Sequence, residues 1–285
     1  MPKIALVTDS TAYIPKELVE KYQIRVVPLR VHWGPDTYLD GIDIKTADFY
    51  QRLKTDRLTP TTSAPSIGDF QQVYQQALET ADAVVSIHIA SQLSATVSSA
   101  EQAKALMPDK SIEVIDSRLT SMAMGYMVLT AARAAEHGAS LEEVTATARR
   151  MIEPSRIIFT VETLEYLRRG GRIGAAQAFV GNLMDVKPIL ELRDGRVEPV
   201  ERVRTKKKAV ERIVDMVVHA AVSQDHAPVR LAAVHALVPE EAEALLEAAL
   251  PHLNVVEKVI TDFSPVIATH TGPGTLGLIC TPAYS

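Results

Sequence analysis

Across its first 120 residues the chain alternates short apolar runs with segments of helical periodicity, and this alternation restricts the fold more than any other feature. Ile4 to Thr8, Arg25 to Val31, Ala83 to Ile89 and Ile112 to Ile115 read as strands, and Pro15 to Tyr22 reads as a helix. Strands separated by helical stretches pair in parallel, with the crossover helices covering the sheet, so an α/β fold is expected. Two helix starts are marked chemically. Ser66 with Asp69, and Ser140 with Glu143, have the spacing at which a hydroxyl and a carboxylate satisfy the free amides of a first turn. They predict one helix over residues 67–80 and another after Ser140, with Gly138 closing the helix before it.

The texture changes near Pro154. Arg156 to Val161 reads as a strand, and Pro188 to Arg193 with Arg196 to Val203 flank Asp194-Gly195 as a hairpin. Further strand-like runs lie at Val229 to His235, Val255 to Thr261, Val266 to Thr269 and Leu276 to Thr281, with a helix from Pro239 to Leu250 among them. A chain of 285 residues with 47% apolar content can bury two cores. The expectation is an N-terminal α/β domain with a mostly parallel sheet over residues 1–155, followed by an α+β domain with a largely antiparallel sheet over 156–285.

A net charge of −5 argues against a nucleic-acid partner, although a local basic cluster could still dock an acidic one. The single cysteine, Cys280, has no internal disulfide partner and reads as a small buried residue on a terminal strand. The N-terminal apolar run is interrupted by Asp9, and nowhere do roughly 18 apolar residues follow one another. A cytoplasmic protein is expected, without a span but compatible with transient peripheral membrane contact.

The chemistry is carried by hydroxyls. His270-Thr271-Gly272-Pro273-Gly274 sets an imidazole and a hydroxyl before two glycines whose amides lack steric cover. Ligands of open α/β sheets sit beyond the carboxyl ends of strands, and those ends carry Asp9-Ser10, Ser91 to Thr96 and Asp116-Ser117. Thr61, Thr62 and Ser63 lie between two prolines that suppress helix. Residues 272–277 match G-x-G-x-x-G in form only, because too little chain follows for a dinucleotide fold. No Walker loop, metal-binding cysteine pair, H-E-x-x-H or G-x-S-x-G is present, so no metal or cofactor is expected. Arg168, Arg169 and Arg172 surround Gly170-Gly171; Arg172, fixed beside the glycines, is the candidate for docking a partner.

Taken in order, V-T-D-S-T-A near the start, T-S-A-P-S at 62–66, L-S-A-T at 93–96, I-D-S at 115–117, L-E-Y-L-R-R-G-G-R-I at 164–173, K-P-I-L at 187–190 and H-T-G-P-G at 270–274 resemble the DegV family over essentially the whole chain. The resemblance implies two domains with a tunnel between them that holds one long-chain fatty acid. It implies a carboxylate bound by Thr62, Ser94 and His270; the strand-end and loop residues Asp9, Ser10, Ser63, Thr96, Thr271, Gly272 and Gly274 are expected to support that site. It also implies a separate ATP-dependent fatty acid kinase subunit as partner, for which the reading of the local charges offers Arg172 as the docking residue, and no catalysis by this chain alone. The family's usual pattern differs at Tyr13, Ala64 and Ala95; a helix can still start after Ala95, where its amides favour an anion. The alternative reading is an acyl or phosphoryl hydrolase that uses Ser94 with His270.

Overall fold

The computed structural model describes residues 3–56, 58–180, 186–222 and 227–284. In the N-terminal part, β1 (Ile4–Asp9), α1 (Lys16–Lys21), β2 (Arg25–Val27), β3 (Arg30–Trp33), β4 (Asp36–Leu39), α2 (Thr46–Thr55) and β5 (Thr61–Ser63) lead into α3 (Ile67–Leu78) and β6 (Ala83–His88). Then come α4 (Thr96–Ala105), β7 (Ile112–Asp116), α5 (Ser121–Glu136) and α6 (Leu141–Arg150). The rest comprises β8 (Arg156–Thr160), α7 (Glu165–Arg169), β9 (Lys187–Arg193), β10 (Arg196–Val203), α8 (Lys206–Val222), β11 (Val229–His235), α9 (Pro239–Ala249), β12 (Val255–Asp262), α10 (Pro265–Thr271) and β13 (Leu276–Pro282).

The parallel sheet has the order β2-β1-β6-β7, and all six residues of β6 are buried, as a central strand covered on both faces requires. Both capping boxes form, Ser66 with Asp69 on α3 and Ser140 with Glu143 on α6. The second sheet has the order β10-β9-β8-β13-β11-β12, antiparallel except for β11 beside β12. Asp194 and Gly195 both have positive φ, 48° and 76°, which is the twist a two-residue hairpin turn needs.

Two sequence expectations change. Arg25 to Val31 is not one strand: Pro28, without an N–H, ends the first piece, so β2 joins the parallel sheet while β3 forms a separate sheet, β4-β3-β5. Thr61 to Ser63 is thus an edge strand rather than a free loop, in register with β3 as Val31↔Thr62. Val266 to Thr269 is helix, not strand. A short apolar run fits either state, and Pro265 at the first helical position after the extended Ser264 decides for helix.

Helix α5 joins the two sheets. Twelve of its 16 residues are buried, so it is apolar all round, and it packs on β1 and β6 on one side and on β11 and β13 on the other. The Tyr126 hydroxyl donates to the Leu231 carbonyl at 2.7 Å, fixing the helix to the second sheet. Cys280 is buried on β13, and burial pushes its thiol up to about 12. No helix among the described residues is long and apolar enough to cross a membrane.

Candidate ligand-binding site

Between the sheets lies a cavity of about 310 Å³. Its wall is mostly apolar, with Ile157, Phe159, Val234, Val266 and Ile267 contributed by the second half of the chain. Thr62, Ser94 and His270 all face it, each from a different element: β5, the turn before α4, and α10.

Thr62 Oγ1 and His270 Nε2 are 2.8 Å apart although 208 residues separate them in sequence. Burial pushes the imidazole down to about 4, and the positive charge of Arg172 adds to the effect, so the ring is neutral at physiological pH. Nδ1 is buried without a protein partner among the described residues. With the proton on Nε2 the ring donates to Thr62 Oγ1 and leaves the hydroxyl proton free for the cavity; with it on Nδ1 the hydroxyl donates to Nε2. In both forms a neutral imidazole fixes the Thr62 hydroxyl at the cavity wall.

Gly170 holds the ring from behind. A Cβ there would strike His270 Nδ1, although the backbone angles, φ −74° and ψ −6°, suit any residue. Gly170→Ala is therefore expected to push the imidazole off Thr62 with little backbone strain. In an NMR titration, the His270 resonance of this variant should move from about 4 toward the ordinary imidazole range. A titration identical to that of the parent would mean that Gly170 does not set the ring's position.

Ser94 Oγ lies 2.8 Å from Thr96 Oγ1, which is fully buried at the start of α4, and Ser63 Oγ lies 2.8 Å from His32 Nε2. Thr271 also faces the cavity, with its hydroxyl donating to the Ile267 carbonyl. Arg172 is not on an outward basic face. Its guanidinium lines the cavity and donates to the carbonyls of Leu93 at 2.9 Å and Gly170 at 2.6 Å, with no ion pair to a carboxylate among the described residues. Arg168 and Arg169 both pair with Glu165, so one carboxylate offsets part of the charge of the surface expected to dock a partner. The positive charge at the cavity comes from Arg172 alone of the three.

The sequence reading missed the device that places α10. Asp40 accepts from Ser10 Oγ at 2.7 Å, Ser264 Oγ at 2.8 Å and the Val266 amide at 3.3 Å, so one carboxylate caps the helix that carries His270. Ser264 N–H donates to Tyr13 Oη at 3.0 Å, and Tyr13 Oη lies 3.0 Å from Ser264 Oγ, closing a ring of hydrogen bonds across the domains. Tyr13 is thereby a structural partner of α10. Burial raises Asp40 to about 6, against the lowering effect of its three donors.

Several expected supporting residues lie elsewhere. Ser10 serves Asp40, and Asp9 is fully buried, accepting from His88 Nδ1 at 3.1 Å and the Ile89 amide at 2.9 Å. His88 Nε2 is 2.6 Å from Ser86 Oγ, which accepts from Tyr74 Oη at 2.9 Å. This Asp9–His88–Ser86 chain has the connectivity of a hydrolytic triad, yet all three side chains are sealed from solvent and it ties β1 to β6. The amides of Gly272 and Gly274 donate to the Ala268 and Ala236 carbonyls instead of facing a ligand. Both glycines have positive φ, and a Cβ at either would strike Tyr166 or Glu162, so their role is the turn. Nor does the arrangement make Ser94 a nucleophile, because its partner is Thr96 rather than His270, and His270 Nδ1 has no carboxylate to orient it.

Fold and site together define a two-domain α/β protein with an apolar cavity and a cluster of neutral donors and one arginine at its wall. The model of the DegV family matches residues 3–283, and the chain belongs to that family. Protein DegV of Bacillus subtilis is 40% identical over 279 residues, covering 96% of this chain and 98% of the relative. Among solved structures, a DegV family protein from Thermus thermophilus, described for its fatty acid binding, is 41% identical with a TM-score of 0.93, covering 99% of this chain and all of the other. A stearic acid-binding protein from Eubacterium ventriosum is 28% identical with a TM-score of 0.88, covering 99% of this chain and 98% of the other.

Proposed function

We propose that the protein binds one long-chain fatty acid in the cavity and presents its carboxylate to a separate ATP-dependent kinase subunit for acyl-phosphate formation. The observation that carries this reading is the Thr62–His270 pair on the wall of an otherwise apolar cavity, beside Ser94 and the unpaired charge of Arg172. Each buried methylene contributes about 0.8 kcal/mol, so the tail supplies most of the affinity. Thr62, Ser94, His270 and Arg172 then orient and neutralise the headgroup. In the transfer, a carboxylate oxygen attacks the γ-phosphorus of ATP and ADP leaves, which requires that oxygen to be held in line with the phosphorus. The kinase partner follows from the sequence motifs shared with the family, and no docking surface is assigned to it.

Ser94→Ala and His270→Ala should each weaken palmitate binding by about ten-fold, because a headgroup hydrogen bond contributes about 0.5 to 3 kcal/mol. Both should reduce acyl-phosphate formation with the cognate kinase, trapped as the hydroxamate, by a larger factor than binding. Hydrolysis of an acyl phosphate by the protein alone, abolished by Ser94→Ala, would instead establish the hydrolase.

A further inference from the structure

A second polar point in the same cavity is not explained by carboxylate binding. Among the polar side chains that line it, Thr62, Ser63, Ser94, Arg172, His270 and Thr271 each have a hydrogen-bond partner within the protein. Thr120 and Ser121 do not: both hydroxyl oxygens are buried and have no protein partner among the described residues. Ser121 is 1% exposed and has a φ of 55°, a left-handed backbone conformation that a serine adopts at a cost. The two residues are the N-cap and first residue of the 16-residue helix α5, and no side chain caps that end. The first-turn amides of a helix have no intrahelical acceptor and carry partial positive charge, so they add to the two hydroxyls as donors. Elsewhere the chain uses such hydroxyls on its own amides, as Ser66 and Ser140 do.

We infer that Thr120, Ser121 and the first turn of α5 form a second acceptor-binding subsite, for an oxygen carried on the acyl chain itself. The preferred ligand is then a hydroxy or oxo fatty acid, with its carboxylate at Thr62, Ser94 and His270 and its second oxygen at the start of α5. The inference rests on the proposed fatty acid binding and deepens it. An unsubstituted chain lying against Thr120 and Ser121 would leave buried donors unpaired, which lowers its affinity relative to a chain that supplies an acceptor. The subsite comes from the β7–α5 connection and the carboxylate cluster from β5, the turn before α4 and α10, so the two sets of donors reach one cavity from different elements.

The test uses the full chain, stearic acid, and a panel of hydroxystearic and oxostearic acids that differ in the position of the oxygen. At least one positional isomer should bind about ten-fold more tightly than stearic acid to the parent. Thr120→Val with Ser121→Ala should remove that advantage and leave stearic acid binding as tightly as before or tighter. Ser121→Gly is a second variant that loses the hydroxyl while relieving the positive φ, so it folds at least as well as the parent, and it should lose the larger part of the preference. If stearic acid binds and no isomer is preferred, or if the preference survives both variants, the subsite is refuted while fatty acid binding stands. If neither stearic acid nor any isomer binds, both readings fall.

Discussion

Replacing Val234 by tryptophan is expected to leave the protein folded and to remove its capacity for palmitate or stearate. Val234 stands on β11 with 1% exposure, and its side chain forms part of the cavity wall. In a close-packed core the added ring would cost about 1 to 3 kcal/mol in strain. Here it projects into a space of about 310 Å³, so the melting temperature should fall by only a few degrees. The indole takes volume the acyl tail needs. Excluding five methylenes at about 0.8 kcal/mol each removes about 4 kcal/mol, roughly a thousand-fold in affinity. A short acid such as octanoate should retain its weak binding, because the carboxylate cluster is untouched. Palmitate affinity equal to the parent's would show that the tail does not lie along β11.

The second large effect concerns Asp40. Asp40→Ala leaves Ser10 Oγ, Ser264 Oγ and the Val266 amide without their acceptor, at a cost of about 1 to 3 kcal/mol for each donor left unsatisfied. Loosening the start of α10 also loosens His270 at its end, so ligand affinity should fall with stability. Asp40→Asn keeps an acceptor and isolates the charge. Because folding raises Asp40 from 3.8 to about 6, the folded state holds its proton more tightly than the unfolded chain. That contribution to stability is fully present below pH 3.8 and is lost as pH rises through about 6. The difference between parent and Asp40→Asn in denaturant unfolding should therefore shift against the parent by about 3 kcal/mol across that window. A shift in the opposite direction would mean that the three donors outweigh burial and hold the carboxylate ionised.

How far the sequence predicts this molecule depends on the range of the interactions involved. Ser66, Ser140 and Asp194-Gly195 act within a few residues, and each forms the structure its spacing implies. Pro28 and Pro265 are also local signals, but each lies beside an apolar run: Pro28 divides a run that reads as one strand into two strands of different sheets, and Pro265 opens a helix over a run that reads as a strand. Thr62 and His270 share no local pattern, and only the family motifs bring them together before coordinates do. Asp40 lies in an undistinguished Leu39-Asp40-Gly41 turn, and nothing nearby in sequence announces that it caps a helix 224 residues away. Asp9 and Ser10 illustrate the converse. Their place at a strand end suggested a ligand, whereas a buried histidine and a buried carboxylate use them instead. For Arg172, neighbouring arginines suggested a basic surface, and the two carbonyls that turn the side chain inward come from Gly170 and a distant loop.

Native mass spectrometry of the protein purified from a bacterial host, followed by extraction and identification of whatever it carries, tests the central claim most directly. The account predicts one fatty acid per chain, lost or replaced by shorter acids in Val234→Trp and depleted in His270→Ala. Protein that carries no acyl chain and takes up neither palmitate nor oleate when incubated with them would contradict it.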